Sequence, residues 1–212
     1  MKILELFAGS RSIGKVAERL GHTVFSVDIE DFKGIDLVKD IEFLTTKDLP
    51  KNIDMIWSSP PCTTYSLMAI SHHRENRVAK TEFAKKSDRL VLNTLKLIKE
   101  IGCIFYIENP RAVLRKMPFM QGIDRTTVTY CSYGHTSMKP TDIWSNNIDN
   151  LFQKGWIPKK MCFNGNKNCH HESAPRGSRT GIQGIKGAYN RSKIPEQLCE
   201  EIIRATEKKL NE

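Results

Sequence analysis

The chain has 212 residues, with 33 Lys and Arg against 24 Asp and Glu, a net charge of +9. That length holds one domain of ordinary size with room for a small appendage, and 39% hydrophobic with 27% charged residues is a globular composition. No apolar run approaches the roughly 20 residues needed to cross a bilayer. Glu5 interrupts the first apolar stretch, so the start reads as a strand and not as a signal peptide, and a cytoplasmic protein is expected.

In chain order, Lys2 to Phe7 reads as a strand. Ser12 to Leu20 reads as a helix with Ile13, Val16, Ala17 and Leu20 on one face. Thr23 to Val27 and Ile53 to Trp57 are further strands, followed by a long polar, basic connection from Thr63 to Lys86. Ser87 to Ile101 is the clearest helix: Leu90, Val91, Thr94, Leu95, Ile98 and Ile101 keep helical spacing while Lys96, Lys99 and Glu100 face out. Cys103 to Ile107 is a strand. Strands alternating with helices predict parallel strands joined by crossovers, an α/β sandwich. Thr126 to Cys131 and Asp142 to Trp144 read as strands joined by a turn bearing Gly, Lys and Pro. Residues 158–193 are rich in Gly, Asn, Ser, Lys and Arg and read as irregular. Pro195 opens a last helix to about Lys209, since proline suits a first helical turn. Three regions follow: a core over 1–145, a small irregular region over 146–193, and a C-terminal helix over 194–212 packing back on the core.

The cationic surplus suits a polyanionic partner, because neutralised phosphates release counterions. His72, His73, Arg74, Arg77, Lys80, Lys85 and Lys86 place such charge in the long connection. Arg176, Arg179, Lys186 and Arg191, spaced among glycines, read as a loop that tracks phosphates. The alternative for both is a solvated face.

Two places on the first strands point to chemistry. Phe7-Ala8-Gly9-Ser10 follows the first strand and opens the first helix, where glycine allows close backbone approach and a helix N-terminus offers amides to a ligand. Asp28, about 20 residues on, ends the second strand, where an acid can accept from ribose hydroxyls; Asp40 is a candidate for an adenine amino group. The third strand runs into Ser59-Pro60-Pro61-Cys62, and ligands of open α/β sheets bind beyond such strand ends. Two prolines fix the backbone before Cys62, which makes it a candidate nucleophile; the alternative is a structural thiol. Glu108, in Tyr106-Ile107-Glu108-Asn109-Pro110, ends another strand and falls on the same edge.

These motifs, in this order, resemble the cytosine-5 DNA methyltransferase family. Leu6-Phe7-Ala8-Gly9 is similar to its cofactor motif, Pro60-Pro61-Cys62 to its nucleophile motif, Glu108-Asn109 to its Glu-Asn motif, and Asp88-Arg89 to a further signature. The resemblance covers roughly residues 1–145. It implies a Rossmann-like S-adenosylmethionine-dependent methyltransferase fold with a small irregular C-terminal recognition region. It implies Phe7, Ala8, Gly9, Ser10, Asp28, Ile29, Asp40 and Ile41 at the cofactor, with Ser59, Pro60 and Ser192. Cys62 would add to carbon 6 of a flipped-out cytosine and Glu108 would hold N3, as carbon 5 is itself a poor nucleophile. Thr64, Tyr65, Ser66 and Asn109 would meet substrate. The chain departs from the family at Tyr133 to Thr141, where no arginine stands and Lys139, His135 or Thr141 would substitute. It departs again at Arg191-Ser192-Lys193-Ile194-Pro195. Residues 146–190 leave no room for a large recognition domain, so RNA or a nucleotide is the alternative substrate and a non-catalytic nucleic-acid-binding protein the alternative class. A small phage-like or restriction-modification enzyme, a monomer on DNA, is expected.

Of six cysteines, Cys103 and Cys199 fall in apolar periodic stretches and read as core. Cys162, Cys169 and His170 gather soft ligands in a Gly/Asn-rich loop that zinc would suit, with Cys131 or His135 as a fourth; His171 could instead face DNA.

Overall fold

The computed structural model describes residues 1–171 and 187–212. In chain order the elements are β1 (Lys2–Leu6), α1 (Ser12–Arg19), β2 (Thr23–Asp28), β3 (Leu37–Val38), β4 (Met55–Ser58), α2 (Ile70–His73), β5 (Arg74–Glu75), β6 (Val78–Ala79), α3 (Glu82–Ile101), β7 (Ile104–Pro110), β8 (Arg125–Thr129), β9 (Pro140–Ser145), α4 (Ala188–Ser192) and α5 (Glu196–Leu210). Seven strands form one sheet in the order β3-β2-β1-β4-β7-β9-β8. β1, β2, β3, β4 and β7 are parallel, and β9 runs antiparallel between β7 and β8. The order reverses between β1 and β4, the place where open α/β sheets leave a crevice. The α/β sandwich read from the sequence is the fold observed.

Alternation along the strands builds a core on each face, because successive side chains point to opposite sides. Leu4, Ile56, Phe105 and Ile107 pack with Leu90, Val91 and Ile98 of α3. Ile3, Met55, Trp57 and Tyr106 pack with Ile13, Val16 and Ala17 of α1 and Leu198, Cys199, Ile202 and Ile203 of α5. The last helix thus packs back on the core, and burial of Leu198, Ile202 and Ile203 contributes about 1.5–3 kcal/mol each. Cys199 is core, as expected, whereas Cys103, also read as core, is only half-buried just before β7 and packs against the cluster on the other face of the sheet. Trp156 joins the same cluster and Ile148 is buried, so residues after 145 begin by covering the sheet.

Several elements differ from expectation: β3 pairs with β2 at Leu37–Val38, where no strand is predicted, and α4 (Ala188–Ser192) is a short helix inside the stretch read as irregular. α3 begins a turn earlier, at Glu82, because the Thr81 hydroxyl accepts from Ala84 N and caps it. The connection after Cys62 is structured by a 3₁₀ turn, α2 and the β5–β6 hairpin. β8 stops at Thr129 and passes into a 3₁₀ turn over Tyr130–Tyr133. No helix among the described residues is long and apolar enough to cross a membrane.

Candidate active site

A cavity of about 670 Å³ opens at the carboxyl ends of β1, β4 and β7. Phe7, Ala8 and Ser10 line one side, and Ser59, Pro60 and Cys62 the other. Glu108, Lys139, Arg191 and Ser192 complete it. The two candidate chemical ends of the sequence therefore share one space.

The turn after β1 is tightly wound: Phe7, Gly9 and Arg11 have φ of 56°, 45° and 53°. Gly9 N donates to Asp28 Oδ2 at 2.9 Å, which ties the turn to the end of β2. The other Asp28 oxygen accepts from Glu30 N at 3.0 Å. Each carboxylate oxygen keeps a lone pair for a ribose hydroxyl. The amides opening α1 are already taken: Glu5 Oε1 accepts from Ile13 N at 3.2 Å, and its Oε2 accepts from Ser26 Oγ. Glu5 is buried, and burial pushes its pKa from the usual 4.5 up to about 7 against these hydrogen bonds. A methyl group on Gly14 would sit 2.6 Å from Glu5 Oε2, so a glycine is needed where the helix crosses that side chain. Glu5 is a cavity-lining residue that sequence reading treated only as a break in an apolar run.

Beyond β4, Asn109 Nδ2 donates to the carbonyl of Pro60 at 2.8 Å and holds the diproline against β7. Cys62 then starts a 3₁₀ turn that is bolted to α3. Tyr65 OH donates to Asp88 at 2.8 Å, Arg74 pairs with Asp88 at 2.7 Å, and the Arg74 guanidinium lies 4.3 Å from the Tyr65 ring centroid. Arg74 Nε also donates to the carbonyl of Thr64.

Glu108 is buried and accepts from Tyr130 OH at 2.9 Å. Full burial, then the Glu108 charge, push the Tyr130 pKa well above its usual range, so the phenol stays a donor. Lys139 Nζ stands 4.5 Å from the Tyr130 ring centroid and donates to the carbonyl of Arg191 at 3.0 Å. Burial and the Glu108 charge push the Cys62 thiol up, while Lys139 and Arg191 pull it down. Tyr130 was read only as part of a strand; its role depends on β9 folding back between β7 and β8.

Several expected site residues lie elsewhere. Thr64 and Tyr65 are fully buried in the Arg74–Asp88 cluster, and only Ser66 of that run lines the cavity. Thr141 is buried with its hydroxyl on the Lys139 carbonyl. Asn109 is buried and donates to the Pro60 carbonyl, so it fixes the turn before Cys62 and does not line the cavity. Asp40 caps a 3₁₀ turn and pairs with Lys86 at 2.6 Å, because the earlier start of α3 brings that lysine to it. The Ile41 side chain is core and Ile29 is exposed outside the cavity lining. Arg74 is buried in an ion pair and Lys85 pairs with Glu82, so much of the connection's charge is used internally. His135 lies against Tyr130 and takes the hydrogen bond of Ser137 N. Arg176, Arg179 and Lys186 lie outside the described residues.

The soft ligands do converge, with two changes. Cys131, Cys162, Cys169 and His171 bring ligand atoms within 4.8 Å of one another. Cys131 supplies the fourth position. His171 takes the place expected for His170: its Nδ1 lies 3.1 Å from Cys169 Sγ, whereas His170 is exposed.

The fold is a Rossmann-like α/β sandwich with a cavity at the carboxyl ends of its strands. The chain aligns over 73% of its length with 56% of the Entamoeba histolytica methyltransferase EhMeth, with a TM-score of 0.54 and 16% identity. It aligns over 74% with 53% of the S. pombe Dnmt2 methyltransferase, with a TM-score of 0.52 and 15% identity. It thus spans about half the length of these solved proteins. Against a Frog virus 3 (isolate Goorha) protein called "Probable DNA (cytosine-5)-methyltransferase" it is 31% identical over 224 residues, covering 96% of this chain and 99% of the viral one. Residues 1–118 match the family model for C-5 cytosine-specific DNA methylase. The chain belongs to that family, as its motifs suggest, and a viral relative accords with the small phage-like member expected.

Proposed function

We propose that the protein methylates carbon 5 of cytosine in DNA, using S-adenosylmethionine and a covalent Cys62 adduct. The observation that carries this reading is that Cys62, Glu108 and the Phe7–Ser10 turn face one cavity. Its volume is in the range of small-molecule sites. The residues fit the cofactor: Asp28 retains acceptor capacity at the end of β2, and Ser10, Ser59 and Ser192 set hydroxyls around apolar walls of Phe7, Ala8 and Pro60. When bound, S-adenosylmethionine supplies an electrophilic methyl group.

Cys62 acts as a thiolate. It forms a bond to carbon 6, and the ring's electron pair moves to carbon 5. Glu108, held by Tyr130, donates to N3 or keeps a proton there as charge develops. Water takes the proton from carbon 5, the C–H electron pair reforms the double bond between carbons 5 and 6, and Cys62 is expelled as a thiolate. Burial and then the Glu108 charge hold the Cys62 thiol above its usual pKa, and Lys139 and Arg191 offset part of that rise. The target base is flipped out of the duplex to reach this depth.

The test is transfer of labelled methyl groups to DNA and, separately, to RNA of the same sequence. Methylated cytosine in DNA, lost in Cys62→Ser, with trapping on 5-fluorocytosine DNA, is expected. Transfer that survives in Cys62→Ser overturns the nucleophile, and transfer to RNA alone overturns the substrate.

A further inference from the structure

The region after β9 has little to hold it. Among the described residues between 146 and 171 the only regular pairing is the single bridge Ile148–Trp156. Leu151 and Phe152 are almost fully exposed. Yet the end of this segment is drawn onto the active-site hairpin. Lys159 N donates to Tyr133 OH at 2.9 Å, Ser132 Oγ donates to the carbonyl of Lys160 at 3.1 Å, and Cys162 N donates to Thr129 Oγ1 at 2.8 Å.

At that seam three thiols and an imidazole face a common centre. His171 Nδ1 lies 3.1 Å from Cys169 Sγ and 3.6 Å from Cys162 Sγ, and Cys131 completes the set. All three cysteines are free. Two thiols are enough for a disulfide; three around an imidazole are the donor set of a metal. Tetrahedral zinc with bonds of about 2.3 Å to sulfur and about 2.0 Å to nitrogen sets its ligand atoms about 3.5–4 Å apart, inside the observed spread. Soft sulfur and imidazole donors without a carboxylate favour zinc over magnesium or calcium. Asn166 Nδ2 donates to Cys162 Sγ at 3.3 Å, a partner for one of the thiolates. Four protein ligands leave no open position, which is the pattern of a structural ion.

We infer that Cys131, Cys162, Cys169 and His171 bind one structural zinc ion that fastens the segment ending at His171 to the turn beginning at Tyr130. Cys131 follows Tyr130 directly, so the ion also steadies the phenol that holds Glu108. None of the four ligands lines the cavity, so zinc binding can be read without any methyl transfer.

The experiment is metal analysis of the full chain, purified in reductant and reconstituted with zinc, together with the visible spectrum after cobalt exchange. About one zinc per chain is expected, with an intense tetrahedral thiolate–cobalt spectrum. Cys169→Ser and His171→Ala should lose the metal, while His170→Ala, Cys62→Ser and the four-sulfur variant His171→Cys keep it. Far-ultraviolet circular dichroism tells loss of metal from loss of the whole fold, and His171→Cys keeps the test open if Cys169→Ser fails to fold. A chain that takes up no zinc, metal retained by Cys169→Ser, a weak octahedral cobalt spectrum, or a Cys131–Cys162 disulfide in non-reducing peptide maps would each overturn the inference.

Discussion

The catalytic edge and the segment after β9 are built on opposite principles. At the edge, each functional group is held by others that are buried: Asn109 grips Pro60, Arg74 and Asp88 grip the turn after Cys62, and Tyr130 grips Glu108. Between 146 and 171, Ile148 and Trp156 are buried on the sheet, but Leu151 and Phe152 stand in solvent, and beyond Trp156 order rests on loop hydrogen bonds and the Cys/His cluster. Positions where bonds are made and broken need groups fixed within tenths of an ångström. A surface that meets a partner gains from side chains left unspent. The contrast implies that substitutions at the edge cost activity or stability out of proportion to their size, and that those at exposed apolar positions such as Leu151 and Phe152 do not.

The sharpest way to break that contrast is at Cys62. Cys62→Ala should lower kcat/KM for methyl transfer on the order of 10⁴-fold or more with the thermal midpoint little changed, measured by single-turnover transfer and calorimetry. An equal loss from Leu151→Ser would void the comparison. Arg74→Met leaves Asp88 without its buried partner and should cost about 3–5 kcal/mol of unfolding free energy in a denaturant titration.

Glu5 gives a pH-dependent test of the same edge. Its folded pKa is raised, so between about 4.5 and 7 the unfolded chain releases a proton that the folded chain keeps. Its contribution to stability is therefore present below pH 4.5 and is lost as pH rises to 7, by about 3 kcal/mol. Stability curves of wild type and Glu5→Gln should diverge across that window in that direction; parallel curves would show that Glu5 is ionised in the fold. Tyr130→Phe removes one hydrogen bond to the Glu108 carboxyl and, under the proposed mechanism, should slow transfer about 10- to 100-fold, with a shifted pH profile of kcat. Leu151→Ser should change stability by less than about 0.5 kcal/mol.

What the sequence disclosed divides along the same line. Local patterns gave every strand of the main sheet except the two-residue β3, together with α1, α5 and the edge position of Cys62 and Glu108, since strand ends and diproline turns are written in adjacent residues. Thr81 before Glu82 carried a capping signal for α3 that the charged first turn obscured. Residues whose role depends on distant packing were not legible. Tyr130 meets Glu108 only once β9 reverses, Arg74 becomes buried only against Asp88, and Thr141 lies inside the sheet. The choice between His170 and His171 hung on one residue of chain phase, which composition does not fix.

The reversed direction of β9 has a consequence for how such a molecule can change. Because β8 ends and β9 begins at the carboxyl edge, the chain crosses the cavity rim once more, through 130–139, than an all-parallel sheet would allow. That hairpin is a doorway already cut beside the reacting groups. Added residues there would lengthen the wall over the pocket without altering strand order, so new substrate preferences can be grafted at that bend while the core stays as it is.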